Sequence, residues 1–280
     1  MSIENGTVPQ DNCQHFNEEY LMSSIKIKKD TSLRKAILQA AITGKLISDV
    51  EGETETGKQL LDRIIEERKN KLSHGLDFAN AKSGKRKSKK ETALAGSNPC
   101  DIPEDEIPFE IPENWCWCRL GDLFSVGTGL TPLKSNTQFY ENGKIPWVTS
   151  SLTSQRYITY TEEFVTEKAV EETKLKIYPP NTLIVAMYGQ GKTRGQVSKL
   201  QINATTNQAC AALECYIQES NLIDFAYFFF ENNYEKLRSV AEGTSQPNLN
   251  LDKIKNTIFP LPQLAVQNAI VEKLEERKEI

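Results

Sequence analysis

Histidine is nearly absent from this 280-residue chain: two occur, His15 and His74, both in the N-terminal third. Histidine-based acid–base catalysis is therefore excluded from the larger C-terminal part. No apolar run approaches the ~18 residues that a membrane helix needs. The opening stretch MSIENGTVPQDNCQHF lacks an apolar core and is expected not to be a secretory signal. Six cysteines without an export signal read as reduced thiols of a cytoplasmic protein rather than a disulfide framework. Cys116 and Cys118 stand one residue apart, tighter than zinc-ligand spacing allows, so no metal site is expected. Net charge is −4, from 34 basic and 38 acidic residues, and carries no hint of a nucleic-acid partner.

What is present divides the chain by texture. Residues 1–29 read as a loose tail. A helix starts at Asp30 or Thr31 as N-cap, places Leu33, Ala36, Ile37, Ala40 and Ala41 on one face, and ends at Gly44. A second helix, from about Gly57 to Leu72, carries Leu60, Leu61, Ile64, Ile65 and Leu72, with Glu67 and Lys71 as a supportive i, i+4 pair. Residues 30–73 thus form a helical hairpin. Residues 74–110 form a basic and proline-rich linker. Six of the nine residues from Lys82 to Lys90 are basic, which reads either as a solvated linker or as a DNA-backbone contact.

From Trp115 onward, short β-type runs appear at Trp115–Leu120, Ile145–Val148, Leu183–Met187, Gln196–Ile202 and Ala209–Tyr216, with helical pieces near 166–173 and 221–241. The fold class is α+β, with a mixed domain over 111–262. Trp115, Trp117 and Trp147 lie in β-type runs and are expected to pack in the core. A final helix begins after Pro262, with Val266, Ile270, Val271 and Leu274 on its apolar face, and 263–280 reads as the start of a longer helix.

Three sites of chemistry were weighed. Residues Ala186–Thr193 (AMYGQGKT) follow an apolar strand and fit a permissive phosphate-loop pattern, with Gly189–Thr193 at its heart. The Gly195 and Val197 that follow oppose the helix such a loop must open. Glu171, Glu172 and Lys174 vaguely suggest a nuclease element, without a paired upstream Asp. The Asn-Pro-Pro-Tyr/Phe element with which adenine methyltransferases hold a flipped base is missing, as are helicase motifs.

Charge distribution is more informative. No Asp or Glu lies between Glu172 and Glu214, from 123 to 140, or from 243 to 251. These stretches are rich in Thr, Ser, Asn and Gln. Lysine and arginine neutralise phosphates, and amide and hydroxyl side chains read base edges. Candidate DNA contacts are Lys134, Ser135, Gln190, Lys192, Thr193, Arg194, Lys199, Asn207, Gln208, Thr244, Gln246, Asn248 and Asn250. The alternative is a set of polar surface loops.

Four separated motifs then converge: LRKAILQAAITGKLISD (33–49) with the charged GKQLLDRIIEERKNKL helix, IPENWCWCRLGDLFSVGTGLTP (111–132), ATTNQACAAL (204–213), and TSQPNLNLDKIKNTIFPLPQLAVQNAIVEKLEE (244–276). Together they resemble the specificity subunit of type I restriction–modification systems. The resemblance implies that 111–262 is a target-recognition domain, flanked by long helices that form or join an antiparallel coiled coil. It implies double-stranded DNA, methyltransferase subunits and ATP-dependent restriction subunits as partners, with no catalysis or cofactor in this chain. S-adenosylmethionine, ATP and Mg are expected on the partners. A full family member carries two recognition domains and this chain carries one, so a second copy could complete a split target by twofold pairing. Leu33, Ile37, Ile64, Val266, Ile270 and Leu274 are the expected partner or self-association surface, with burial in the same chain as the alternative.

Overall fold

The computed structural model describes residues 32–73, 102–189, 191–242 and 249–276. The 1–29 tail, the basic run at 82–90, both histidines, Gln190, Thr244, Gln246 and Asn248 lie outside the described residues.

Helix α1 spans 32–42 and buries Leu38, Ala41 and Ile42. It stops at Gly44, whose φ of 71° lets the amides of Gly44 and Lys45 cap the carbonyls of Ala41 and Ala40. Helix α2, Gly57–Ser73, opens with a reciprocal cap: the Gln59 amide donates to Thr56 Oγ1 at 3.2 Å, and the Thr56 amide donates to Gln59 Oε1 at 2.8 Å. Its first residue must be small, because a Cβ on Gly57 would lie 2.2 Å from the Leu261 carbonyl oxygen.

Strand β1 (Cys116–Arg119) runs into the short helix α3 (Leu120–Leu123) and then β2 (Phe124–Thr128). Strands β3 (Ile145–Val148), β4 (Tyr157–Ile158) and β5 (Phe164–Val165) precede α4 (Glu167–Thr173). The pair β6 (Leu183–Ala186) and β7 (Val197–Leu200) is followed by β8 (Thr205–Thr206) and β9 (Cys210–Cys215). Helices α5 (Ser220–Asn232), α6 (Tyr234–Glu242) and α7 (Leu251–Lys255) lead to β10 (Ile258–Leu261) and α8 (Leu264–Glu276). The central sheet has the order β2-β9-β6-β7-β4, with β2, β9, β6 and β7 antiparallel and β4 parallel to β7. A three-stranded sheet, β5-β3-β8, and the two-stranded β1-β10 complete the set. Strands and helices are intermixed, as the α+β reading expected.

One hydrophobic core joins the helices to the sheet: Ile42, Leu60, Ile64, Phe225, Phe259, Val266 and Leu213 belong to a single buried cluster. The Phe259 ring lies edge-on to Phe229 at 4.9 Å and to Phe225 at 5.6 Å, stitching β10 to α5.

Among the described residues α2 has 17 residues and α8 has 13, and the long coiled coil stays an expectation of the resemblance. Ile64, Val266, Ile270 and Leu274 are buried in the chain's own core, and Ile37 packs against it, so these residues are not a free partner surface. Leu33 alone of that set is mostly exposed, at 58%. The helix expected over 221–241 breaks at Asn233, whose Nδ2 donates to the Phe229 carbonyl at 2.9 Å and competes with continuation of the ladder.

Candidate nucleic-acid interface

The strand directions gather four loops at one end of the central sheet. Strand β2 exits at Thr128, paired with Ala211 near the start of β9. Ala186, the exit of β6, pairs with Cys210, and Val185 pairs with Val197 at the entry of β7. Strands β3 and β8 run parallel and both exit at this end, while β4 enters here beside β7. The segments 129–136, 149–156, 187–189 with 191–196, and 206–209 therefore leave or enter the sheet at this end. None contains Asp or Glu. At the other end of the same sheet lie Asp122, Glu214 and Glu219.

Cross-links hold the loops in register. Thr131 Oγ1 donates to Gln208 Oε1 at 2.6 Å, joining the β2 exit to the β8–β9 turn. The Met187 amide donates to the Ala209 carbonyl at 2.8 Å, joining that turn to the β6 exit. Thr153 Oγ1 reaches Gln196 Oε1 at 3.4 Å. The Tyr234 hydroxyl at the start of α6 donates to the Lys192 carbonyl and accepts from Arg238 Nη1 at 2.6 Å.

Lys192 is exposed and Thr193 and Arg194 are half-buried on the β6–β7 hairpin, where Tyr188 presents an exposed ring. The structure overturns the phosphate-loop alternative for this segment. Past Thr193 the chain turns at Gly195, with φ of 87°, donates the Gly195 amide to the Ala186 carbonyl at 2.9 Å, and returns as antiparallel β7. A phosphate loop needs a helix there, with its amides converging on the anion.

Other candidates fare differently. Lys199 is 7% exposed and ion-paired with Asp224 of α5, its Nζ 5.5 Å from the Tyr157 ring centre. Its charge is spent inside the protein, and it is not a phosphate contact. Asn250 caps α7, accepting from the Lys253 amide at 2.8 Å, and Asn207 accepts from the Ala209 amide at 3.0 Å, so both side-chain carbonyls are structural. Lys134 borders a cavity of about 280 Å³ with Thr137, Tyr140, Glu141, Trp147 and Glu163. Glu141 and Glu163 share that cavity, and burial followed by Glu163 pushes the Tyr140 hydroxyl pKa upward. Ser135 is exposed on the same loop. Trp115, Trp117 and Trp147 are buried, as expected of core residues. Glu171 and Glu172 ride the outer turns of α4, and Lys174 is its left-handed cap, so no nuclease-like cluster forms.

The sequence reading missed the 149–156 segment, whose signal was the absence of acids across TSSLTSQR. Its last residue, Arg156, does not face outward. It pairs with Glu275 of α8 and lies 4.9–5.1 Å from the ring centres of Tyr157, Tyr227 and Phe228. Burial works against its charge, and the Glu275 pairing outweighs that, leaving the guanidinium pKa raised. Among the described residues, no group of three or more His, Cys, Asp or Glu could hold a metal. Among the same residues, no helix is long and apolar enough to cross a membrane.

Comparison with known proteins assigns the chain to a family. A family model described as "Type I restriction modification DNA specificity domain" matches residues 112–278. The EcoR124I/EcoR124II specificity subunit of Escherichia coli is 27% identical over 163 residues, covering 57% of this chain and 40% of that protein. The EcoAI specificity subunit of Escherichia coli is 23% identical over 258 residues, covering 88% of this chain and 39% of that protein. The crystal structure of the HsdS subunit from Thermoanaerobacter tengcongensis aligns with a TM-score of 0.46 at 17% identity, over 80% of this chain and 49% of that one. The chain thus spans about two-fifths of the length of these curated relatives. With the family model covering more than half of its residues, the chain belongs to the type I restriction–modification DNA specificity family, whose members are recognition subunits rather than enzymes.

Proposed function

We propose that the chain binds one half of a split double-stranded DNA target with the acid-free end of its central sheet. The observation that carries this reading is the convergence of four loop segments without a single Asp or Glu, in a chain whose net charge is −4. Lys192 and Arg194 supply phosphate contacts, and the hydroxyl and amide side chains around them face the grooves. Methyltransferase and restriction subunits dock on the helical side and carry the chemistry. S-adenosylmethionine, ATP and Mg belong to those partners, and the complex works in the cytoplasm. A second copy, or a second recognition half, reads the other part of the target. Since the apolar faces of α1, α2 and α8 are filled from within, docking uses their outer surfaces, where Leu33 of α1 and Leu72 of α2 are exposed.

The test is binding to a random-sequence duplex pool across a salt series. The Lys192→Ala/Arg194→Ala chain should bind all sequences more weakly, with a salt slope reduced by about 1 per lost phosphate contact. An unchanged affinity and slope would defeat this reading of the interface.

A further inference from the structure

We infer that Gln208 reads a base edge mainly as a hydrogen-bond donor, and that Thr131, by taking one acceptor position of its oxygen, biases it to donating; the inference rests on the DNA-binding reading above. Gln208 occupies the turn between β8 and β9, in the middle of the acid-free end. The loop leaving β2 lies on one side of it and the loop leaving β6 on the other. The turn beneath it is fixed. The Asn207 amide donates to the Val148 carbonyl at 3.0 Å, Asn207 Oδ1 accepts from the Ala209 amide at 3.0 Å, and the Ala209 carbonyl accepts from Met187 at 2.8 Å. A Cβ on Gly129 would fall 1.6 Å from the Thr206 carbonyl oxygen, so only glycine lets the β2 exit lie this close to the turn. From that exit, Thr131 Oγ1 donates to Gln208 Oε1 at 2.6 Å. The Gln208 side chain is exposed and makes no other hydrogen bond among the described residues.

The consequence is chemical. A free glutamine reads adenine with both ends of its amide, accepting from N6 and donating to N7. Here Thr131 takes one of the two acceptor positions of Oε1 and fixes the amide, while both NH₂ protons are unused among the described residues. Two adjacent acceptors, O6 and N7 of guanine, suit that group best; O4 of thymine suits it with one bond, and the N4 donor of cytosine opposes it. Thr131 is a positioning residue, acting on Gln208 and not on DNA. Neighbouring Asn207 has no such role, because its oxygen holds the turn.

The experiment compares the wild-type chain with Gln208→Glu, Gln208→Ala and Thr131→Val, each incubated with the same random duplex pool, and sequences the bound fraction. The wild type should enrich a motif containing guanine, or secondarily thymine, at one position. Gln208→Glu should keep the rest of the motif and move that position to cytosine by about tenfold or more. Gln208→Ala should relax that position alone, and Thr131→Val, by releasing Oε1, should admit adenine there. A motif identical in wild type and Gln208→Glu overturns the inference, as does a loss of preference at every position together. Should either Gln208 variant melt early, Thr131→Val decides, and no gain of adenine overturns the inference. A wild-type chain that enriches no motif defeats the DNA-binding reading itself, which separates the two failures.

Discussion

The two ends of the central sheet are made from the same strands, yet they arrange charge differently. One end collects hydroxyls, amides, Lys192 and Arg194 on loops cross-linked by side chains, with no carboxylate in four converging segments. The other carries Asp122 and Glu214, and both are paired: Asp122 caps α3 and faces Arg68, and Glu214 binds Lys176. A cation close to an acid is neutralised within the protein, whereas the exposed Lys192 stands on a segment that holds no acid of its own. Lys199 and Arg156 make the same point from inside the basic stretch, since Asp224 and Glu275 reach them from the helices. A basic sequence segment is therefore not yet a basic surface.

The contrast is breakable by mutation, from the fold downward. Phe259→Ala removes a fully buried ring shared by β10 and α5, and should cost about 3–5 kcal/mol by chemical denaturation. Lys199→Met leaves the half-buried Asp224 without its partner and should cost about 3 kcal/mol, most of it recovered by adding Asp224→Leu. If the single variant melts like the wild type, Lys199 is free at the surface and belongs back among the DNA contacts. Lys192→Ala should leave the melting temperature within about 2 °C while weakening duplex binding about threefold, the pattern that separates a surface charge from a structural one.

The thiols of Cys210 and Cys215 offer a pH test. Burial lifts both from an ordinary value of 9.0 to about 12. The folded chain therefore holds these protons longer than the unfolded chain does. Their contribution to stability is intact below about pH 8.5 and is lost as pH climbs towards 12. Titration with a thiol-specific reagent at pH 8 should find both unreactive until denaturant is added. The smallest effect expected is that of Leu33→Ser, within about 0.5 kcal/mol, because that side chain is 58% exposed; a larger loss would mean that it is covered in solution.

Much of the fold was legible beforehand. Gly44 as a helix stop, Gly57 as a helix start and Ile145–Val148 as a strand all stand where local chemistry put them. The β10 strand escaped notice because Pro260 and Pro262 argue against a ladder; at the edge of a two-stranded sheet, β10 tolerates Pro260. Short β4, β5 and β8 have two residues each, too few for a period to show. Within the candidate site, Lys192, Thr193, Arg194 and Gln208 were named from composition and sit on loops at the same end of the central sheet. Asn250 and Lys199 were named on the same grounds and proved to be a helix cap and an ion pair.

Local chemistry, written along the chain, decided the helix ends, the core-facing tryptophans, the acid-free stretches and the absence of histidine chemistry from the C-terminal part. Only the three-dimensional arrangement decided which acid-free stretches meet, which basic side chains are already neutralised, and that the helical faces are filled by the chain's own core. Those are long-range matters: they depend on strand order and direction and on partners as distant in sequence as Arg156 and Glu275, and no local pattern records such a pairing.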